Sequence, residues 1–402
     1  MKLDELPSLD AADVFIGATR VAQLTTDGTF TRFRYLPETP DSLAVATTLP
    51  VGNEQPVTTP GRAVPPYFAG LLPEGRRLSA LRTAIKTSAD DDLSLLVAAG
   101  DAPVGRVRVA AAGTGLPPVS PPPPQVGSLE QLDFADVLER SLGADGLDRV
   151  ALAGVQDKVS GAMITVPLSV AGTDHLLKLD PPEFPHLVRN EAFFLTMARA
   201  CGLATVDARV IIDRHGRPGL LVTRFDRIGD RHAPTALAVE DGCQVSNRYP
   251  SDKYSMSAET VLTNLAEHCR ARAAALLQGF EQVLFAVITG NGDQHAKNFS
   301  MMHTGSEWRL APAYDIPSSQ PYGDSSLAIN LGGTRDPQVS RRRALTFADD
   351  IGLPTGAARL ALDRLLERTT PWTERLDELP FDDARIHKLR RVMLARIRLL
   401  ST

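Results

Sequence analysis

The chain has 402 residues, of which 43% are hydrophobic and 23% are charged. This length and composition exceed what one hydrophobic core usually organises, so we expect two or three domains. Because the net charge is −5 at pH 7, the protein as a whole does not attract nucleic acid or anionic lipid electrostatically. Any contact with DNA must therefore be made by a local part of the surface.

The first part of the chain predicts a small α+β module over residues 1–112. β-type segments at Val14–Leu24 and Phe30–Tyr35 precede a helical pattern at Pro65–Ile85 and a further β-type segment at Val104–Val109. Residues 113–127 then read GTGLPPVSPPPPQVG. Consecutive prolines remove backbone donors and favour an extended, semi-rigid chain, so this stretch is predicted to be a linker.

Residues 128–245 alternate between helical and β-type patterns. The predicted elements are a helix at Phe134–Leu142, strands at Lys158–Val166 and His175–Leu179, a helix at Val188–Cys201, and strands at Ala208–Asp213 and Gly219–Thr223. The order strand, strand, helix, strand, strand is typical of the small lobe of a protein kinase. Residues 246–402 are mainly helical in pattern and predict a helical carboxy-terminal lobe.

The segment most specific for chemistry is ITGNGDQHAKNFS, residues 288–300, in which Asp293 and Asn298 are five residues apart. Phosphoryl transfer requires a carboxylate that orients and deprotonates the acceptor hydroxyl, and a nearby amide oxygen that holds a metal ion on the phosphates. Kinases keep these two groups at this spacing in one loop. His295 lies between them, where a donor could contact the transferring phosphate.

Three further residues complete a predicted nucleotide site. Asp315, in the segment LAPAYDI, can bind Mg²⁺ between the phosphates as the Asp of the kinase D-F-G segment does. Lys178 ends a β-type segment and Glu191 follows thirteen residues later at the start of a helix, as in the Lys–Glu pair that orients ATP. Because Tyr314 and Ile316 flank Asp315, the chain is not an ordinary eukaryotic kinase.

The segment LLVTRFDR, residues 220–227, ends the last predicted strand where a kinase has its hinge. Backbone groups of Thr223 to Phe225 could meet the adenine edge, with Phe225 supplying an apolar face. An ordinary strand followed by a charged turn fits the same residues.

Cysteine spacing and the apolar pattern exclude other classes. Cys201, Cys243 and Cys269 lie far apart without the C-x-x-C spacing of zinc or dithiol sites. The first residues lack the features of a signal peptide, and no apolar segment approaches the length of a membrane span. We therefore expect a soluble, cytoplasmic protein without membrane contact.

Several motifs in order resemble the HipA family of Ser/Thr protein kinases. They are ALAGVQDKVSGAM at 151–163, TRFDR at 223–227, EDGCQ at 240–244, GDQHAKNFS and APAYDI in the catalytic region, and FAGLLPEGRR at 68–77 with GDAPVGRV at 100–107 in the first domain. The resemblance extends from about residue 14 to residue 400. It implies an α+β, kinase-like two-lobed fold with an additional small amino-terminal α+β module.

The resemblance also implies roles for individual residues. ATP would be bound by the residues of the nucleotide loop, by Lys178 at the phosphates, and by Thr223, Phe225 and Gln244 at the adenine. Asp293 would be the catalytic base, assisted by His295, and Asn298 with Asp315 would bind Mg²⁺. The implied nucleotide-loop residues are Gly154, Val155, Gln156 and Lys158.

At the level of the cell, the resemblance implies a toxin of a HipBA-type toxin–antitoxin system. Its substrate would be a translation protein such as an aminoacyl-tRNA synthetase, its partner a HipB-type helix-turn-helix antitoxin, and its contact with DNA only indirect, through that partner. Two alternatives stay open: a kinase-like module that binds an antitoxin without efficient transfer, and a small-molecule phosphotransferase with a similar D-x-H-x-x-N loop.

One departure from the family concerns regulation. Many members carry a serine at the position of Ala151, and phosphorylation of that serine expels the nucleotide loop and silences the kinase. Alanine has no hydroxyl group to accept phosphate. We therefore predict that this off switch is either missing or moved to another hydroxyl, with Ser160 the nearest candidate.

Overall fold

The computed structural model describes residues 9–88, 90–99, 104–116, 125–126, 129, 132–137, 163–170, 173–230 and 233–402. Ala151, the predicted nucleotide-loop residues and Ser160 lie outside these residues. The described residues form three main hydrophobic cores, one for each of two sheets and one for the helical region.

The amino-terminal domain is an antiparallel five-stranded sheet with strand order β4-β3-β2-β1-β5. Its strands are β1 (Ala11–Ile16), β2 (Thr19–Thr26), β3 (Phe30–Tyr35), β4 (Val57–Pro60) and β5 (Val107–Ala111), and its helices are α1 (Pro66–Ala69), α2 (Gly75–Ile85) and α3 (Asp92–Ala98). The sheet packs Val14, Leu24 and Phe33 against Phe68 of α1 in one core.

Two predictions for this domain were too coarse. The segment Val14–Leu24 is two strands, because Gly17 with φ of 59° turns the chain between them. The single helical pattern at Pro65–Ile85 is interrupted between α1 and α2, and the separate helix α3 was not predicted.

The second sheet has strand order β6-β7-β8-β10-β9. Its strands are β6 (Gln125–Val126), β7 (Ile164–Val170), β8 (Thr173–Leu179), β9 (Ala208–Ile212) and β10 (Pro218–Thr223), with helix α4 (Leu187–Cys201) inserted between β8 and β9. The predicted order is therefore confirmed from β7 to β10. Strand β7 begins at Ile164, and residues 158–162 of the predicted strand lie outside the described residues. Gly202 ends α4 in the left-handed conformation, with φ of 97°.

The remaining residues form a mainly helical lobe with small β elements. Strands β11 (Arg227–Asp230) and β12 (Ala233–Ala236) form a hairpin, and β13 (Val239–Asp241), β14 (Ser300–Thr304) and β15 (Glu307–Leu310) form a three-stranded sheet. The helices are α5 (Gly242–Val245), α6 (Ala258–His268), α7 (Arg272–Thr289), α8 (Arg341–Asp350), α9 (Thr355–Thr369) and α10 (Asp383–Ser401). None of the helices in the described ranges has the length and apolar character needed to cross a bilayer.

The junction between the second sheet and the helical lobe lies earlier than residue 245. Strand β13 pairs with β14 of the helical lobe, so residues 239–245 pack with that lobe and not with the second sheet. Helix α4 also contributes Phe194 and Met197 to the core of the helical lobe. The two regions are consequently joined by a shared apolar core and not by a flexible connection.

Candidate active site

The predicted catalytic loop begins where helix α7 ends. Gly290 terminates α7 in the left-handed conformation, with φ of 73°. The side chain of Arg396, from helix α10, is buried and donates from Nη1 to the carbonyl oxygen of Val287 at 2.7 Å. Burial lowers the pKa of Arg396 to about 10, which still leaves the guanidinium charged at neutral pH. The loop therefore starts from a fixed position.

Within the loop, Asp293 and Asn298 are held close together. Asn298 Nδ2 donates to the carbonyl oxygen of Asp293 at 3.0 Å, and the backbone N–H of Asp293 donates to Asn291 Oδ1 at 2.9 Å. Both residues are buried. The hydroxyl of Tyr254, from the connection before α6, donates to Asp293 Oδ1 at 2.7 Å. The position of the proposed base is thus set both by its own loop and by a residue outside it.

His295 lies beside this base as a buried imidazole. Its ring contacts that of Tyr254 edge-on, with centroids 5.1 Å apart. Within the described residues, Nδ1 is buried and has no hydrogen-bond partner. Burial, together with the positive charge of Lys253, lowers the pKa of His295 to about 4. At neutral pH the ring is therefore uncharged and can form a hydrogen bond to an incoming group.

Lys178, Glu191 and Asp315 form one ionic cluster. Lys178 Nζ, at the end of β8, lies 2.7 Å from Glu191 Oε1 of α4 and 2.9 Å from Asp315 Oδ1. Glu191 is fully buried, whereas the side chain of Asp315 is 20% exposed. Burial opposes ionisation of the lysine, but Asp315 and Glu191 together raise its pKa, so Lys178 carries a positive charge.

Asp315 connects this cluster to the catalytic loop. Its backbone has φ of 57°, an uncommon conformation for a residue with a side chain. The adjacent Tyr314 donates its hydroxyl to the carbonyl oxygen of Lys297 at 2.8 Å, next to Asn298 in sequence. Burial lowers the pKa of His295, and the negative charges of Asp293 and Asp315 both partly oppose that lowering.

The chemistry of these side chains fits a magnesium ion. Asn298 offers an amide oxygen and Asp315 a carboxylate, and oxygen ligands of this kind, supplemented by water and phosphate, are what Mg²⁺ prefers. The positively charged Lys178 beside Asp315 is suited to phosphate oxygens. These three residues could therefore hold Mg·ATP.

The predicted hinge residues lie at the end of β10. Thr223 is the last residue of that strand, and the ring of Phe225 stacks on that of Tyr314 with centroids 5.7 Å apart. Between them, Arg224 forms a buried ion pair with Asp226, at 2.7 Å. Asp226 also accepts from the backbone N–H of Gly105, at 2.8 Å. The hinge segment thus contacts the amino-terminal domain as well as the catalytic region.

Gln244, which was predicted to line the adenine pocket, forms two hydrogen bonds to protein groups. Its Oε1 accepts from the backbone N–H of Asp241 at 2.9 Å, closing a capping box at the start of α5. Its Nε2 donates to the carbonyl oxygen of Tyr67, in the amino-terminal domain, at 2.9 Å. Both polar ends of this buried side chain are committed to protein groups. In this structure Gln244 therefore joins the amino-terminal domain to the helical lobe.

Three residues at this site were not predicted from the sequence as functional. They are Glu74 of the amino-terminal domain and the neighbours Lys253 and Tyr254. Glu74 forms ion pairs with Lys253 and with Lys297 of the catalytic loop. Although Glu74 stands inside a segment that carried the family resemblance, no local pattern connects it with a loop so distant in sequence.

Two family models match the chain, the HipA-like C-terminal domain over residues 150–373 and the HipA N-terminal domain over residues 12–110. Y4mE of Sinorhizobium fredii, which is named as a kinase, is 30% identical over 83% of this chain and 85% of its own length. The Ser/Thr-protein kinase toxin HipA of Shewanella oneidensis is 28% identical over 75% of this chain and 74% of its own length.

A solved structure shows the same fold. It contains HipA of Shewanella oneidensis with HipB and operator DNA, and it matches 97% of both chains with a TM-score of 0.74 and 22% identity. The predicted α+β, kinase-like two-lobed fold with an amino-terminal module is thereby confirmed. With kinases among its curated relatives and both family models matched in order, the chain belongs to the HipA family.

Proposed function

We propose that this protein is an ATP- and Mg²⁺-dependent Ser/Thr protein kinase that acts as the toxin of a HipBA-type toxin–antitoxin system. The observation that carries the proposal is the contact of Lys178 with both Glu191 and Asp315, at 2.7 and 2.9 Å, beside a loop that holds Asp293 and Asn298. A structural module has no need for five such residues in this arrangement. Kinase-named relatives support the same reading.

Each residue has a role in the proposed mechanism. Lys178 binds phosphate oxygens, with Glu191 fixing the direction of its side chain. Asp293 accepts the proton of the acceptor hydroxyl, and Tyr254 holds one of its oxygens so that the carboxylate stays oriented. His295, neutral and buried, offers a hydrogen bond beside the reacting group. Bound Mg²⁺, on Asn298 and Asp315, would neutralise negative charge on the phosphates.

The substrate and partner are also part of the proposal. We infer a translation-related protein substrate, such as an aminoacyl-tRNA synthetase, and a HipB-type helix-turn-helix antitoxin that would bring the chain to DNA indirectly. The solved relative contains HipB and operator DNA, which supports this partner. A cytoplasmic location would follow from such a substrate.

Thermal unfolding with and without Mg·ATP tests the nucleotide site. A ligand at 100 times its Kd stabilises a folded protein by about 2.7 kcal/mol, so a clear upward shift is expected. The absence of a shift at millimolar ATP would contradict the proposal.

Labelled ATP in a cell lysate tests the reaction. Label from the γ-phosphate should appear on a protein band and should fall by roughly 10²- to 10⁴-fold with Asp293→Asn, because that substitution removes the base. Asp293→Asn should retain the thermal shift with Mg·ATP. Label found only on small molecules would favour a small-molecule phosphotransferase, and nucleotide binding without transfer would favour a binding module.

A further inference from the structure

Glu74 is placed where it could cap a helix but is used differently. It occupies the cap position of α2, yet its side chain makes no capping hydrogen bond. Instead Oε1 lies 2.5 Å from Lys297 Nζ and Oε2 pairs with Lys253 Nζ. The lysine side chains are only 12% and 16% exposed. Two poorly hydrated ammonium groups therefore share one carboxylate from another domain.

Through Lys297, this carboxylate reaches the metal-binding side of the site. Lys297 precedes Asn298 in the catalytic loop, and its carbonyl oxygen accepts from the hydroxyl of Tyr314 at 2.8 Å. Tyr314 in turn precedes Asp315. A displacement of Lys297 would therefore be passed to both of the proposed magnesium ligands.

Through Lys253, the same carboxylate reaches the base. The carbonyl oxygen of Lys253 accepts from the backbone N–H of Ala296 at 3.1 Å, and its ammonium group lies 5.2 Å from the centre of the Tyr254 ring. Tyr254 donates to Asp293 Oδ1 at 2.7 Å. One side chain of the amino-terminal domain thus contacts both segments that set the geometry of the loop.

We propose that Glu74 is a positioning residue for phosphoryl transfer, by which docking of the amino-terminal domain fixes Asp293 and Asn298 in their working arrangement. This inference rests on the proposed kinase function. Glu74 is the nearer counter-charge of Lys297, whose Nζ also lies 4.0 Å from Asp241 Oδ2, so loss of the Glu74 charge should let both poorly hydrated ammonium groups move toward water. Burial opposes ionisation of Glu74, but Lys297 and Lys253 lower its pKa to about 2, and the carboxylate is charged throughout the physiological range.

A positioning role makes a distinctive kinetic prediction. The contacts described for Lys178, which holds ATP in the proposed mechanism, are with Glu191 and Asp315 and not with the amino-terminal domain. Loss of the Glu74 charge should therefore slow transfer far more than it weakens ATP binding, because Lys178 keeps its own contacts when the catalytic loop is displaced. A general loosening of the protein would change both quantities.

The experiment compares Glu74→Gln with a matched interdomain control in the full chain. Thr47→Val removes a hydroxyl that donates to Glu240 Oε2 at 2.9 Å, in the same domain interface but without contact to the catalytic loop. Misplacement of reacting groups by about 1 Å can reduce a rate by about 10²-fold, so Glu74→Gln should lower kcat by roughly 10- to 100-fold. KM and Kd for Mg·ATP should rise by less than about fivefold, because Lys178 keeps its contacts, and Thr47→Val should keep kcat.

Two further variants separate position from folding. Glu74→Asp retains the charge and should recover part of kcat. If Glu74→Gln does not fold, Lys253→Met removes only the route to Asp293, leaves the Lys297 pair in place, and should lower kcat with constant ATP affinity. Unfolding curves of all variants identify any loss of stability.

Four results would overturn the inference. In Glu74→Gln they are an unchanged kcat, a raised kcat, and a parallel loss of kcat and ATP affinity; a raised kcat would make Glu74 an inhibitory contact. The fourth is a loss of kcat in Thr47→Val equal to that in Glu74→Gln. Wild-type protein that binds and transfers nothing would remove the proposed function and the inference together. Active wild type with a fully active Glu74→Gln would remove the inference alone.

Discussion

Replacing Lys178 with methionine should destabilise the protein as well as its nucleotide site. In the native cluster one cation faces two carboxylates, at 2.7 and 2.9 Å. Methionine retains most of the volume but removes the positive charge that Lys178 supplies to both carboxylates, and Glu191 has only 1% of its side chain exposed. Breaking a buried pair in this way costs about 3–5 kcal/mol. Because Asp315 is 20% exposed and can be hydrated, we expect the lower end, about 3 kcal/mol.

Two variants at Glu191 provide the comparison. Glu191→Gln leaves the pair of Lys178 with Asp315 and removes only a buried negative charge, so a loss of about 1 kcal/mol is expected. The double variant Lys178→Met with Glu191→Leu removes both members of the buried pair and should regain most of the stability lost in the single Lys178→Met variant.

Urea unfolding followed by tryptophan fluorescence measures these differences. Trp372 is a suitable reporter because its ring contacts Phe193 of the helix that carries Glu191, with centroids 5.5 Å apart. Burial already raises the pKa of Glu191 against the opposing effect of Lys178. Without the lysine that pKa rises further, so the penalty is present at neutral pH and diminishes as pH falls and the carboxyl group is protonated. Equal stability of Lys178→Met and wild type at pH 7 would refute the reasoning.

Two other predictions follow from the region around α5. A Cβ added to Gly242 would lie 2.6 Å from the carbonyl oxygen of Ala296, so Gly242→Ala should destabilise by about 1–3 kcal/mol and lower the transfer rate, whereas Gly356→Ala, where the Cβ meets no atom within 4 Å, should do neither. Calorimetry measures the change in stability, and the labelling assay measures the transfer rate. Equal melting temperatures of Gly242→Ala and wild type would contradict the prediction for Gly242→Ala. Burial raises the pKa of Glu240 from 4.5 to about 7, so stability should fall as pH rises from about 4.5 to 7, by up to about 3 kcal/mol. Glu240→Gln should flatten that slope in urea titrations between pH 5 and 8, and an unchanged slope would show that Glu240 is ionised in the folded state.

Local patterns predicted the parts of the molecule that local forces determine. Helix α4 and the strands around it follow from apolar periodicity and from Gly202, and the five-residue spacing of Asp293 and Asn298 placed both in one loop. Strands β13 and β14 are only 3 and 5 residues long and are separated in sequence by helices α5, α6 and α7, so no periodicity could show them.

The role of Gln244 was within reach of the sequence. Asp241 and Gln244 have the spacing of a capping box, and that signature predicts a helix start in which the glutamine side chain bonds to the backbone. The ion pairs of Glu74, in contrast, join segments from different domains. In the sequence alone, Glu74, Lys253 and Lys297 look like ordinary charged surface residues.

The bond from Arg396 to Val287 determines how small an active form of this protein can be. Every residue with a proposed catalytic or metal-binding role lies at or before position 315. The end of helix α7, which precedes the catalytic loop, is nevertheless held by the guanidinium of Arg396 from α10. A fragment that ends soon after Asp315 would contain the complete set of reacting groups on an unsupported loop. Attempts to shorten the protein, or to split it into two complementing halves, should therefore keep α10 with the catalytic segment.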